Sequence, residues 1–131
     1  MSTKLDNKIF ISWDEIDQLV DQLCHKITVS GKKPSSVTGI ERGGLIPAVM
    51  VSHRLNIPYV TRINKDTLVV DDICDTGQTL THMTTGCSAT LHYKKTANYV
   101  PDFYAKEVGD EWIVYPWENK DSEEIQDYLK R

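Results

Sequence analysis

Three carboxylates fall within five residues in TLVVDDICDTGQTL, residues 67–80: Asp71, Asp72 and Asp75. An apolar run, Leu68-Val69-Val70, leads into them, and a small hydroxyl-and-glycine turn, Thr76-Gly77-Gln78-Thr79, follows. Like charges this close repel one another, so they ask for a ligand or a partner. The amides of residues 76–79, the hydroxyls of Thr76 and Thr79, and the positive end of a helix starting near Thr76 make an anion cradle. Gly77 lets the backbone approach that anion closely. Asp71 and Asp72 suit hydroxyl groups or a hard cation such as Mg²⁺, which takes oxygen ligands and retains waters. A ligand with both a diol and phosphates, a sugar phosphate, fits this combination.

Other chemistries fit less well. A response-regulator pocket places its acidic pair after the first strand and its acceptor on a later one. The D-x-D spacing of haloacid-dehalogenase-like phosphatases is absent, as is a G-x-G-x-x-G dinucleotide loop. Cys24, His25, His82, Cys87 and His92 have no zinc-ligand spacing. Cys24 is expected near the buried face of the first helix, and His53 on the solvent side of the second.

Alternating helices and strands must position these residues. Ser12-Trp13-Asp14-Glu15 reads as a capping box, and Ile16, Leu19, Val20, Leu23 and Ile27 recur at helical spacing. SSVTGI reads as a strand that ends in the tight turn Glu41-Arg42-Gly43-Gly44. A second helix is predicted over Leu45 to Leu55, with Pro47 tolerated in its first turn. IPYVTRI and TLVV read as strands joined by Asn64-Lys65-Asp66, and SATLHYK as another strand. Residues 96–120 hold prolines and aromatics without clear period, and Asp121-Ser122-Glu123-Glu124 reads as the cap of a C-terminal helix reaching Leu129. The pattern predicts an α/β fold, a parallel sheet with helices on both faces. Ligands of such sheets bind outside the carboxyl ends of the strands, where both unusual turns fall.

The 131 residues are expected to form a single domain. A formal net charge of −4 argues against nucleic-acid or anionic-membrane partners. No apolar run reaches the length of a membrane span, and MSTKLDNKIF lacks the apolar stretch of a signal peptide. Three cysteines without C-x-x-C spacing read as reduced thiols in the cytoplasm.

LVVDDICDTGQTL resembles the phosphoribosyl-diphosphate (PRPP) motif of the type I phosphoribosyltransferases. GIERGGLIPAVMVSHRLNIPY resembles the pyrophosphate loop and following helix of that family. PDFYAKEVGDEWIVYPWE resembles the purine-binding end of its bacterial xanthine-guanine and hypoxanthine branch, so the likeness runs in order from about Trp13 to Glu118. It implies the type I phosphoribosyltransferase fold, with a small C-terminal hood over roughly residues 95–120. It further implies a purine-salvage transferase that uses PRPP, a purine base and Mg²⁺, yields a purine nucleotide, and forms a dimer or larger homo-oligomer.

Residue roles follow from the same resemblance. Arg42 and the amides of Gly43 and Gly44 hold pyrophosphate, beside a non-proline cis peptide at Glu41-Arg42. Asp71 and Asp72 serve the ribose hydroxyls and the Mg²⁺ shell, and Thr76, Gly77, Gln78 and Thr79 cradle the 5′-phosphate. Asp75 faces the base and assists its proton transfer. Lys94, with adjacent Lys95 as the alternative, donates to a purine 6-oxygen. Trp112 stacks on the purine with the backbone of Ile113 near its edge, while Tyr115 and Trp117 are assigned to packing. One feature departs from the family: a long lid between the second and third core strands is reduced to about three residues. The chain is therefore expected either to be a minimal, partly open enzyme whose cover comes from elsewhere, the tail from Tyr99 to Glu118 or a neighbouring subunit, or to be a catalytically weak nucleotide-binding or regulatory protein.

Overall fold

The computed structural model describes residues 3–5, 7–83 and 86–119. In chain order its elements are β1 (Thr3–Leu5), β2 (Lys8–Phe10), α1 (Trp13–Ser30), β3 (Ser36–Gly39), α2 (Leu45–Leu55), β4 (Thr67–Cys74), α3 (Gln78–Met83), β5 (Cys87–Lys94), β6 (Phe103–Val108) and β7 (Trp112–Val114). The expected C-terminal helix from Asp121 lies outside the described residues.

Local chemistry sets both long helices. The Ser12 side chain accepts from the Glu15 N–H at 3.1 Å, and α1 ends at Gly31 with φ 85°. Its stripe Ile16, Leu19, Val20, Leu23, Cys24 and Ile27 is buried. Helix α2 follows Gly44 at its N-cap, buries Pro47, Ala48 and Val51, and closes on Asn56 at φ 56°. Arg54 ties it to α1 through Asp17 and Asp21. His53 is exposed in the last turn, as its place in the sequence suggested.

The main sheet has the order β3-β4-β5-β6 and is parallel throughout. Val37, Leu68, Val70, Ala89, Leu91 and Phe103 pack with α1 and α2 in one core. Val69, on the alternate face of its strand, packs with Leu80 of α3, Cys74 and Tyr93 in a second. Helices thus cover both faces.

Four readings of the sequence need correction. The strand expected over IPYVTRI is a single bridge, Val37↔Tyr59. Strand β4 does not stop at Val70 but runs on through the acidic pair to Cys74. Its alternation slips there: Leu68 and Val70 share a core with Ile73 rather than with residue 72. Third, the stretch 96–120 contains β6, which joins the main sheet. Only β7 of the expected hood belongs to a separate small sheet, β1-β2-β7, completed by the N-terminal hairpin. Finally, α3 begins at Gln78 and has six residues, so its dipole is short.

The join into β4 spans residues 61–66. Tyr59 pairs in parallel with Val37, so the join leaves from the carboxyl side, beyond Val60, and returns to Thr67, which is level with Ser36 at the amino end. Asn64 closes it on itself, its carbonyl accepting from Thr67 N–H at 3.1 Å and its side chain from Asp66 N–H at 2.7 Å. Asp71 is four residues beyond Thr67 on β4, about 13 Å from it at the strand rise.

Candidate functional site

Two loops meet at the carboxyl ends of β3 and β4. The ladder between these strands ends at Gly39↔Val70, with Ile40 N–H donating to Val70 O at 2.9 Å. The chain then leaves the sheet through Glu41-Arg42-Gly43-Gly44, and the Glu41-Arg42 peptide is cis, where the resemblance placed it. This loop folds back on β4. A Cβ on Gly43 would overlap the Asp72 carboxylate, its Cγ lying only 2.8 Å away. Glycine is needed here for close approach.

Gly44 plays a different part from the one expected. Its N–H donates to Ile40 O at 2.8 Å and closes the turn, and a Cβ on it would strike Val70 O and Ile40. Arg42 is exposed at the rim.

The acidic pair is buried, Asp71 at 4% and Asp72 at 2% exposure. Local bonds offset the repulsion between them. Asp71 Oδ1 accepts from Asp72 N–H at 2.8 Å, and Asp72 Oδ1 accepts from Ile73 N–H at 2.8 Å. The third carboxylate, Asp75, pairs with Lys94 Nζ at 3.5 Å, both side chains being largely buried. Cys74, between them, is an inert thiol: burial first, then the charges of Asp71 and Asp75, push it up to about 12.

After Asp75 the chain turns at Gly77, φ 87°. Thr76 Oγ1 accepts from Gln78 N–H at 3.2 Å, and Gly77 O accepts from Thr81 N–H at 3.0 Å and its hydroxyl at 2.7 Å. The β5–β6 connection clasps this turn. Asn98 N–H donates to Thr76 O at 2.8 Å, Cys74 Sγ donates to Tyr99 O at 3.1 Å, and Gly77 lies against Tyr99 so closely that a Cβ would fall 2.6 Å from its Cβ. No local motif marks this contact between Tyr99 and the Gly77 turn, which is made across 22 residues of chain.

The residues expected around a base also converge. Lys94 Nζ lies 5.8 Å from the Trp112 ring centroid as well as near Asp75. Lys95 instead reaches Glu107 at 3.5 Å on the surface, which favours Lys94 of the two. Trp112 is 3% exposed, so its ring is also part of the packing. Strand β7 runs parallel to β2, with Trp112 N–H donating to Asn7 O and Ile11 N–H to Val114 O, each at 2.9 Å. Trp112 and Val114 therefore face β2, and the backbone groups of Ile113 between them face the opposite edge. No helix among the described residues is long and apolar enough to cross a membrane.

No protein-family model matches the chain. It is 30% identical to the xanthine-guanine phosphoribosyltransferase of Cereibacter sphaeroides, over 82% of this chain and 85% of that one. It is 27% identical to the xanthine-guanine phosphoribosyltransferase of Idiomarina loihiensis, over 86% and 88% respectively. Among solved structures, the purine phosphoribosyltransferase of Pyrococcus horikoshii superposes with a TM-score of 0.77 at 30% identity, covering 90% of this chain and 99% of that one.

Proposed function

Because the chain belongs to the type I phosphoribosyltransferases and resembles their bacterial xanthine-guanine branch, we propose that it joins PRPP to a 6-oxopurine, guanine, xanthine or hypoxanthine. The products are the nucleoside 5′-monophosphate and pyrophosphate. The observation that carries this reading is the convergence of Asp75, Lys94 and Trp112 beside the turn that follows the acidic pair. A purine bound there meets a carboxylate, a cation and an aromatic ring together.

In the proposed reaction the bond from the ribose anomeric carbon to the pyrophosphate oxygen breaks, and one from that carbon to the purine nitrogen forms. Positive charge develops on the sugar, as in glycoside hydrolysis. Asp75 takes up the proton displaced from the base. Arg42 and the Gly43 amide stabilise the departing pyrophosphate, while Gly44 holds the turn that presents them. Thr76, Gly77, Gln78 and Thr79 seat the 5′-phosphate, and Asp71 and Asp72 engage the ribose hydroxyls. Lys94 donates to the 6-oxygen, and the outward backbone of Ile113 reads the purine edge.

The acidic pair suits Mg²⁺. Among the described residues no group of three metal-ligating side chains exists, and Mg²⁺ is commonly held by one or two carboxylates with substrate phosphates and waters completing its shell. When bound, it neutralises charge on the pyrophosphate. We place the reaction in the cytoplasm, consistent with free Cys24, Cys74 and Cys87, and in a homo-oligomer, a dimer or larger.

The short join over residues 61–66 supports a second reading, a weakly catalytic nucleotide-binding or regulatory protein. One assay separates them: nucleotide formation from PRPP and Mg²⁺ with guanine, xanthine, hypoxanthine and adenine in parallel. Turnover with the 6-oxopurines and little with adenine, whose 6-amino group would face the Lys94 donor, supports the transferase. Nucleotide binding without turnover supports the second reading.

A further inference from the structure

Tyr115 follows β7 and is 1% exposed. Its ring stacks on Trp117 at 4.9 Å and 6°. Its hydroxyl reaches the main sheet, donating to the backbone carbonyl of Asp72 at 3.1 Å. His92 of β5, also 1% exposed, has Nδ1 2.7 Å from the same oxygen. A carbonyl only accepts, and a phenol has one proton. The Tyr115 proton is therefore directed at Asp72, and His92 must carry its proton on Nδ1 and donate to Tyr115.

The place of this bond gives it meaning. The ladder from β3 to β4 ends at Val70 because β3 departs to form the Arg42-Gly43 loop. Two residues on, at Asp72, the regular pairing no longer holds the strand on that side. A buried carbonyl needs a donor, and a side chain from the small sheet supplies one. The Asp72 backbone is fixed by the same residue that follows Trp112 and Ile113 at the end of β7.

We propose that Tyr115, oriented by His92, is a positioning residue that sets Asp72 against the Gly43 loop and ties it to the base-side strand. This rests on the reading of Asp72 as a PRPP-side residue. Tyr115 and His92 touch no reacting atom. Their effect is to hold the carboxylate of Asp72 where the ribose hydroxyls and the cation need it, by fixing the backbone that carries it.

The test compares the full chain with Tyr115→Phe, Asp72→Asn and the double variant. Phenylalanine keeps the ring stack and removes only the hydroxyl. The expected result is a fall in kcat/KM for PRPP of about tenfold, well inside the loss that a misplacement of about 1 Å can produce. KM for the purine should stay within about twofold, since the base contacts remain. Calorimetric titration with PRPP and Mg²⁺, which needs no turnover, should show a comparable loss of affinity. The double variant should be no worse than Asp72→Asn alone, because the two changes act on one unit.

Ser36→Ala is the stability control. It removes the buried 2.9 Å bond to Thr67 at the far end of β3 and β4, and should lower the melting temperature with PRPP affinity unchanged. Should Tyr115→Phe fail to fold, His92→Asn and His92→Leu replace it. Asparagine keeps a donor near the position of Nδ1 and should retain PRPP affinity, whereas leucine should lose it. An active wild type with unaffected Tyr115→Phe, additive losses in the double variant, or equal affinities for the two His92 variants would overturn this proposal alone. A wild type inert toward PRPP would overturn the underlying reading and this proposal together.

Discussion

Replacing Gly43 by alanine puts a methyl group into the space held by the Asp72 carboxylate. The new Cβ would lie 2.8 Å from Asp72 Cγ and 3.3 Å from Oδ1, with Oδ2 closer still. Ordinary carbon contacts begin near 3.4 Å, so the loop and β4 must part by roughly 1 Å, the scale of an overpacked contact. Asp72 cannot easily yield, since it is 2% exposed and its Oδ1 is bound to Ile73 N–H at 2.8 Å. Overpacking of this kind costs about 1–3 kcal/mol, a fall in melting temperature of about 4–12 °C for a chain of this size. Displacing a positioned group by about 1 Å lowers rate on the order of 10²-fold. Gly31→Ala is the matched comparison. Its φ of 85° disfavours alanine, yet nothing lies within 4 Å of the new methyl group, and the left-handed conformation costs about 1–2 kcal/mol. Both variants should melt earlier, and only Gly43→Ala should lose PRPP turnover. Wild-type turnover in Gly43→Ala, or equal loss in Gly31→Ala, would refute the contact as the cause.

Asp75→Asn should slow nucleotide formation by about 10²–10⁴-fold while changing PRPP affinity little; a full rate would move the proton-accepting role elsewhere. Trp112→Ala should weaken nucleotide binding by about 1–3 kcal/mol, and, as the ring is buried, also destabilise the fold; a lower melting temperature with unchanged nucleotide affinity would assign Trp112 to packing alone. Burial raises the thiols of Cys24 to about 11 and of Cys74 to about 12, so neither should react with iodoacetamide at pH 8 until the protein unfolds, which mass spectrometry of the labelled chain would show. Because these folded-state values are raised, their neutral forms favour folding below about pH 9, and that contribution is lost as pH rises toward 12. Denaturation midpoints measured from pH 8 to 11 should therefore fall.

What the sequence revealed follows from how local each signal is. Helix α2 was legible over Leu45 to Leu55 because Pro47, tolerated in a first turn, and the residues around it lie in one short stretch. The acidic turn was legible as a motif, but the extension of β4 through Asp71 and Asp72 was not. A charged pair looks like a strand end until backbone amides and Gly43 are seen beside it. Strands β1, β2 and β7 have three residues each and exist through pairing between the two ends of the chain. Edge strand β6 buries chiefly Phe103 and shows no alternation. The same distance hid Tyr115, whose partners His92 and Asp72 lie 23 and 43 residues away.

The most direct measurement is ³¹P nuclear magnetic resonance of one mixture containing the full chain, PRPP, Mg²⁺ and guanine. It resolves nucleotide phosphate, pyrophosphate and ribose 5-phosphate together. The join over residues 61–66 is short and closes on itself at Asn64, so it supplies no long cover for Asp71 and Asp72 and leaves the developing sugar cation open to water. Nucleotide and pyrophosphate resonances are expected to grow together, with a smaller share of ribose 5-phosphate from hydrolysis. Unchanged PRPP, or ribose 5-phosphate with no nucleotide, would contradict this.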